Sequence, residues 1–126
     1  TTNTNATTEA INDDYEFIQY NNQLRLIHSI KDDMYQMQSI ITACHSTKQI
    51  RHWFDNKNTQ EFLENASGRI LPVEKLYEKR DDLANGLRGY YVHRLLVNHV
   101  AMWASPKYAW DIMKLLDSHF ERERQD

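Results

Sequence analysis

GYYVHRLLVNHVAMWASP, residues 89–106, holds two kinds of backbone in one short run. Tyr90-Tyr91-Val92 is β-prone, because aromatic and β-branched side chains fit a pleated, half-buried surface. Leu96, Val100, Trp103 and Ala104 then recur at the spacing of one helix face. Ser105-Pro106 restarts the helix: Ser is a capping residue, and the fixed φ of Pro suits the first helical position. Ala109, Ile112, Met113, Leu116 and Phe120 run down the inner face of that last helix. Strand and helix side by side point to an α+β chain.

Working upstream, Asn85-Gly86-Leu87-Arg88-Gly89 is the clearest loop and holds two of the three glycines. Phe17, Ile18 and Tyr20 suit a short strand, and Asn21-Asn22 a turn. Leu24, Leu26, His28 and Ile30 lie on one side of a second strand, opposite Arg25, Ile27, Ser29 and Lys31. An acidic turn, Lys31-Asp32-Asp33, leads to a third strand at Met34-Tyr35-Gln36-Met37. A small antiparallel sheet of this kind is marginal unless helices cover one face.

After residue 37 the period changes. Ile40, Ile41 and Cys44 mark a short helix ending near His45. Ser46 and Gln49 have capping-box spacing, which predicts a helix over 47–57 with Ile50, Trp53 and Phe54 facing inward. Asn58 and Glu61 repeat that spacing ahead of Phe62, Leu63 and Ala66, and Ser67-Gly68 ends the helix. Pro72 opens a further helix, over 72–83, with Val73, Leu76 and Tyr77 inside. Thr1 to Asp14 is Thr/Asn-rich and reads as a disordered lead-in, residues 15–121 as one domain, and 122–126 as a solvated tail.

Composition bounds the function. One domain of 126 residues with 40% apolar content can build its own core. No apolar run approaches the ~18 residues that span a bilayer, so no membrane partner is expected. Cys44 stands alone, which removes an internal disulfide and a Cys-based zinc site. Two glycosylation sequons, at Asn5 and Asn65, are not accompanied by a secretory signal, and an intracellular setting is expected. The chain begins with Thr1, as a part excised from a longer protein would.

The net charge of −3 is unevenly spread: residues 1–35 carry six acids and two bases, residues 36–96 nine bases and seven acids. Enzymatic readings do poorly. His93 and His99 are six apart, not the i, i+4 spacing of two ligands on one helix face. There is no Gly-rich phosphate loop, and Asp13-Asp14 and Asp32-Asp33 look like tail and turn acids. No catalytic residue, metal or cofactor is expected.

The helices flanking Ser46-Thr47 have helix-turn-helix proportions. The outer face of the second offers Lys48, Arg51 and Lys57 to phosphates, and Gln49, His52 and Asn58 for polar contacts. Trp53, Trp103 and Trp110 read as core. A second basic group, Arg69, Lys75, Lys79, Arg80, Arg88 and Arg94, is interleaved with Glu74, Glu78, Asp81 and Asp82, the pattern of a solvated surface. From it Arg69 and Arg88 are added to the candidate set, Arg88 because the 85–89 loop could present it as a winged-helix hairpin does.

Met34 to Phe120 resembles the KilA-N domain, a DNA-binding module of phages and large DNA viruses, poxviruses included. The resemblance rests on Tyr35-Gln36-Met37 leading to Ile41-Thr42-Ala43, then Trp53, Asn56 and Thr59. Its stronger half is Gly89-Tyr90-Tyr91-Val92-His93, Leu96, His99 to Pro106 and Tyr108-Ala109. Cys44 and Arg94 stand where the family often has Lys and Pro. The resemblance implies a fold similar to fungal APSES DNA-binding domains. It also implies duplex DNA as partner, in the host cytoplasm (virus factory) or nucleus. Poxvirus host-range members join this domain to a RING finger, a region this chain lacks. The rival reading is a protein-interaction module that kept the fold and lost its DNA surface.

Overall fold

The strand tendency of residues 15–37 is realised, and extended, in the computed structural model, which describes residues 6–20, 24–67, 69 and 72–125. Strands β1 (Thr7–Ala10), β2 (Tyr15–Gln19), β3 (Arg25–Ser29) and β4 (Met34–Gln36) are followed by helices α1 (Met37–Ala43), α2 (Ile50–Asp55), α3 (Lys57–Ala66) and α4 (Val73–Leu76). Strands β5 (Tyr77–Arg80) and β6 (Gly89–His93) and helices α5 (Arg94–Ala104) and α6 (Pro106–Gln125) complete the chain. The α+β class holds. Among the described residues the sheet has six antiparallel strands in the order β1-β2-β3-β4-β6-β5.

Both faces of this sheet are covered. Ile18, Leu26, Tyr35 and Val92 face the helices and join Ile40, Ile41, Trp53, Leu96, Val100, Ile112 and Leu115 in the main core. The opposite face is smaller: Tyr15, Ile27, Met34 and Tyr91 pack with Leu87 and, at the margin, Leu83. The strand predicted to alternate between core and solvent therefore has Leu26, Ile27, His28 and Ser29 all buried. β4 pairs with β3 only at His28↔Tyr35 and Ser29↔Met34. Where β3 runs past it, the Ile27 N–H donates to Ser39 Oγ of α1 (3.0 Å), so the ladder does not leave that donor bare.

Five expectations change. β1 lies in the stretch read as a lead-in. All four of its residues are exposed, so it leaves no hydrophobic pattern, and its backbone ladder with β2 (Thr7↔Gln19 to Ala10↔Glu16) holds it. The helix expected over 47–57 is α2 alone, ending at Asn56, whose extended backbone (φ −69°, ψ 131°) opens α3. Asn56, not Asn58, is the cap: its Oδ1 accepts from the Asn58 and Thr59 N–H groups at 2.9 and 3.3 Å. Ser46 caps no helix, since its hydroxyl accepts from the Lys48 N–H in the loop instead. The helix expected over 72–83 stops after one turn, and Tyr77–Arg80 becomes β5, because the open edge of β6 offers a full ladder from Tyr77↔Val92 to Arg80↔Gly89. The Asn21-Asn22 turn and Gly68 lie outside the described residues.

The loop between β5 and β6 is not the free hairpin tip that sequence suggested. It folds over the second face of the sheet. Gln36 Nε2 donates to the carbonyls of Gly86 (2.9 Å) and Arg88 (3.1 Å), and the buried Tyr91 hydroxyl donates to Leu87 O (2.7 Å). Gly86 (φ +90°) and Gly89 (φ +120°) supply the left-handed backbone this return needs.

Trp53 is fully buried, whereas Trp103 is half-buried and Trp110 is 65% exposed. Trp110 therefore corrects the expectation that all three are core: Ala109 and Ile112 turn inward on α6 and carry it to the outer side. Trp53→Ala should cost roughly 3–5 kcal/mol in urea denaturation. Trp110→Ala should fall within about 0.5 kcal/mol of wild type. Equal losses at both positions would contradict this packing.

Candidate nucleic-acid interface

Adjacent aromatics seat α2. The Trp53 indole N–H donates to His99 Nδ1 of α5 at 3.1 Å, and Phe54 packs its ring against Tyr77 of β5 and Tyr90 of β6, with centroids 5.0 and 4.8 Å away. With that side fixed, Arg51, His52 and Asp55 project outward and are exposed. Residues Cys44 to Gln49 join α1 to α2, a longer connection than the tight turn expected from sequence. Lys48 and Gln49 are exposed at its end.

Lys48 is held in place. Its Nζ donates to Trp103 O (2.7 Å), in the last turn of α5, and lies 5.2 Å from the centre of the Trp103 ring. A cation there satisfies a carbonyl that has no partner within its own helix. Lys57 is the first residue of α3, and no acid occupies that helix's first turn. The positive end of the helix dipole is thus uncompensated and carries an added positive charge. Lys48, Arg51 and Lys57 form no ion pair among the described residues.

Between α3 and α5 lies a cleft of about 220 Å³ lined by Asn56, Asn58, Thr59, His99, Met102 and Trp103. Thr59 is fully buried, and its hydroxyl has no hydrogen-bond partner among the described residues. His99 stacks on Phe62 (4.6 Å between centroids), and burial pushes its pKa below the ordinary imidazole value of 6.5. Sequence reasoning counted Thr59 and His99 among the motif residues but did not place them in a site, because a cleft between two helices leaves no periodic signal in either.

The structure thus gathers Lys48, Gln49, Arg51, His52, Lys57 and Asn58 along α2 and the start of α3. It does not bring Arg88 to them by way of the loop. Arg88 sits on the segment folded over the far face of the sheet, with its Nε donating to Leu83 O (2.6 Å). Arg69 is exposed in the turn after α3. The remaining arginines of the second basic group serve the fold. Arg80 pairs with Asp32 and Glu78 and donates to the Tyr15 hydroxyl, while Arg94 pairs with Asp33 and lies over the Phe120 ring.

A nucleophile is no better supported by geometry than by sequence. Cys44 is buried, and desolvation pushes its thiol up to about 11, far from a reactive thiolate. His93 accepts the Leu95 N–H on Nδ1 at 3.1 Å and so caps α5.

Comparison with known proteins settles the lineage. The sequence model of the KilA-N domain matches residues 18–122. The chain belongs to the KilA-N family. Two Acanthamoeba polyphaga mimivirus proteins named as KilA-N domain-containing are similar to it. One is 37% identical over 71 residues, covering 55% of this chain and 20% of that protein; the other is 26% identical over 109 residues, covering 83% and 22%. The chain spans about a fifth of the length of each. No solved structure matches it. KilA-N domains of large DNA viruses are, as a family, DNA-binding, and no described helix of this one is long and apolar enough to cross a membrane.

The Trp53–His99 hydrogen bond has a pH signature. Its acceptor nitrogen must be unprotonated, so His99 contributes stability that is fully present above pH 6.5 and is lost as pH falls from there toward its lowered folded value. The Tm advantage of wild type over His99→Gln should shrink between pH 7.5 and 5. Parallel Tm curves for the two proteins would show that this imidazole is not neutral in the fold.

Proposed function

We propose that this KilA-N domain binds duplex DNA through the outer face of α2 and the start of α3. Lys48, Arg51 and Lys57 neutralise phosphates, and Gln49, His52 and Asn58 add polar contacts. The carrying observation is that among the described residues these three cations form no ion pair, whereas Arg80 and Arg94 are paired with Asp32, Glu78 and Asp33. The net charge of −3 is then no obstacle, because binding responds to the local face. Arg69 and Arg88 are peripheral in this reading. Residues 15–121 act as a binding module without catalysis in an intracellular viral protein, acting in the cytoplasmic virus factory or the nucleus.

Each phosphate neutralised contributes roughly −0.9 to the slope of log K against log salt, so a slope of about −3 to −5 is expected. Arg51→Ala with Lys57→Ala should reduce that slope by roughly two and leave stability within about 0.5 kcal/mol. Fluorescence anisotropy with a mixed-sequence duplex across a salt series reads both. Lys75→Ala with Lys79→Ala is the control. A larger loss in the control would move the interface to β5, and a folded protein with no binding at low salt would end the proposal.

A protein-interaction role is the second reading. Exposed Phe62, Leu95 and Met102 favour it, being large apolar side chains on α3 and α5 without cover. It predicts that Met102→Lys abolishes partner capture and leaves duplex affinity unchanged.

A further inference from the structure

A cluster of buried titratable side chains lies under the C-terminal half of α6. His28 of β3 is buried and is flanked by two carboxylates: Nδ1 lies 2.8 Å from Glu16 Oε2, and Nε2 lies 2.7 Å from Asp33 Oδ1. His119 of α6 is equally buried and meets the His28 ring edge-on, with centroids 5.7 Å apart. Glu16, His28 and His119 each offer one ligand atom within 4.8 Å of the others.

We propose that Glu16, His28 and His119 bind one divalent transition-metal ion of the zinc type. Two imidazoles and one carboxylate are a known zinc donor set; with metal–ligand distances of about 2.0–2.2 Å, the long edges of this triangle would close and the His28–Glu16 edge would open slightly. Borderline nitrogen donors also select zinc-like ions over calcium or magnesium, which take oxygen ligands. Glu16 has a 16% exposed side chain, which leaves room for water in the fourth position.

The second shell supports the assignment independently. A metal-ligating His regularly donates its other ring N–H to a carboxylate, which fixes the tautomer and the ring plane. With metal on Nδ1, the His28 Nε2–H keeps its contact with Asp33. That carboxylate is itself held by Arg94 and by the Tyr35 hydroxyl (3.2 Å), and Tyr35 stacks on His28 at 4.6 Å. The ion would cross-link β2, β3 and α6; close by, the Tyr20 hydroxyl, just after β2, donates to Lys114 O, and the Ala6 N–H, just before β1, donates to Ser118 Oγ. Its role is structural: it ties the last helix to the sheet, and it stabilises whatever fraction of the chain has α6 docked.

The test uses tag-free protein stripped with a chelator and titrated with Co²⁺, followed by Zn²⁺ competition. Expected are one equivalent of Co²⁺ with the intense visible bands of a four-coordinate site, displacement by Zn²⁺, and a Tm raised by Zn²⁺. Asp33→Asn should weaken Zn²⁺ affinity about 10–100-fold. His119→Phe, with unchanged circular dichroism, should abolish both the bands and the Tm shift; if it does not fold, Glu16→Gln carries the same comparison. A spectrum identical to that of aqueous Co²⁺, or equal binding by wild type and these variants, would overturn the site. The DNA measurements above are unaffected by either result, since α2 and α3 contribute no ligand.

Discussion

The pairing of β4 with β6 organises the molecule. Only three residue pairs make it, Met34↔His93, Tyr35↔Val92 and Gln36↔Tyr91. Each strand runs directly into a helix, so this short ladder also sets α1 and α5 side by side. It joins the N-terminal meander to the C-terminal half of the chain and creates the edge on which β5 forms. It also brings the Gln36 side chain to the carbonyls that pin the 81–88 loop. Trp53 finds its acceptor only because α5 has been placed by β6. A contact so distant in sequence carries a large loop-closure cost, and it is repaid through everything that packs on it afterwards.

Charge is sorted by the same architecture. Acids of the β3–β4 turn and of β5 lie near Arg80 and Arg94, where ion pairs and ring contacts close the sheet's margins. The helices α2 and α3 receive cations with no such assignment. Arg51 and Lys57 on α2 and α3 share those helices with exposed Asp55, Glu61 and Glu64.

Legibility in the sequence followed the length of the periodic signal. The stretch from Gly89 to Phe120 gave strand, helix, restart and helix as built, because burial on α5 and α6 recurs with one period over many residues. The outward side of α2 was also readable, since Ile50, Trp53 and Phe54 fix by subtraction which of its residues face out. Short elements were not. β1 buries no side chain, β5 continues a pattern that serves a helix equally well for one turn, and the choice between Asn56 and Asn58 as cap depends on a single ψ angle. Glu16, His28 and His119 were beyond reach because tertiary packing alone makes them neighbours.

The contact of Lys48 with the Trp103 carbonyl has a consequence in entropy. A lysine side chain free in solvent must surrender up to about 2 kcal/mol of rotamer freedom to hold a ligand at one spot. Here one of three ammonium protons is already committed to α5, and the ammonium lies 5.2 Å from the centre of the Trp103 ring. The loss is taken on folding, and two protons remain to point at a phosphate. Lys48 is thereby a fixed cation, whereas Arg51 and Lys57 are exposed with no ion pair among the described residues.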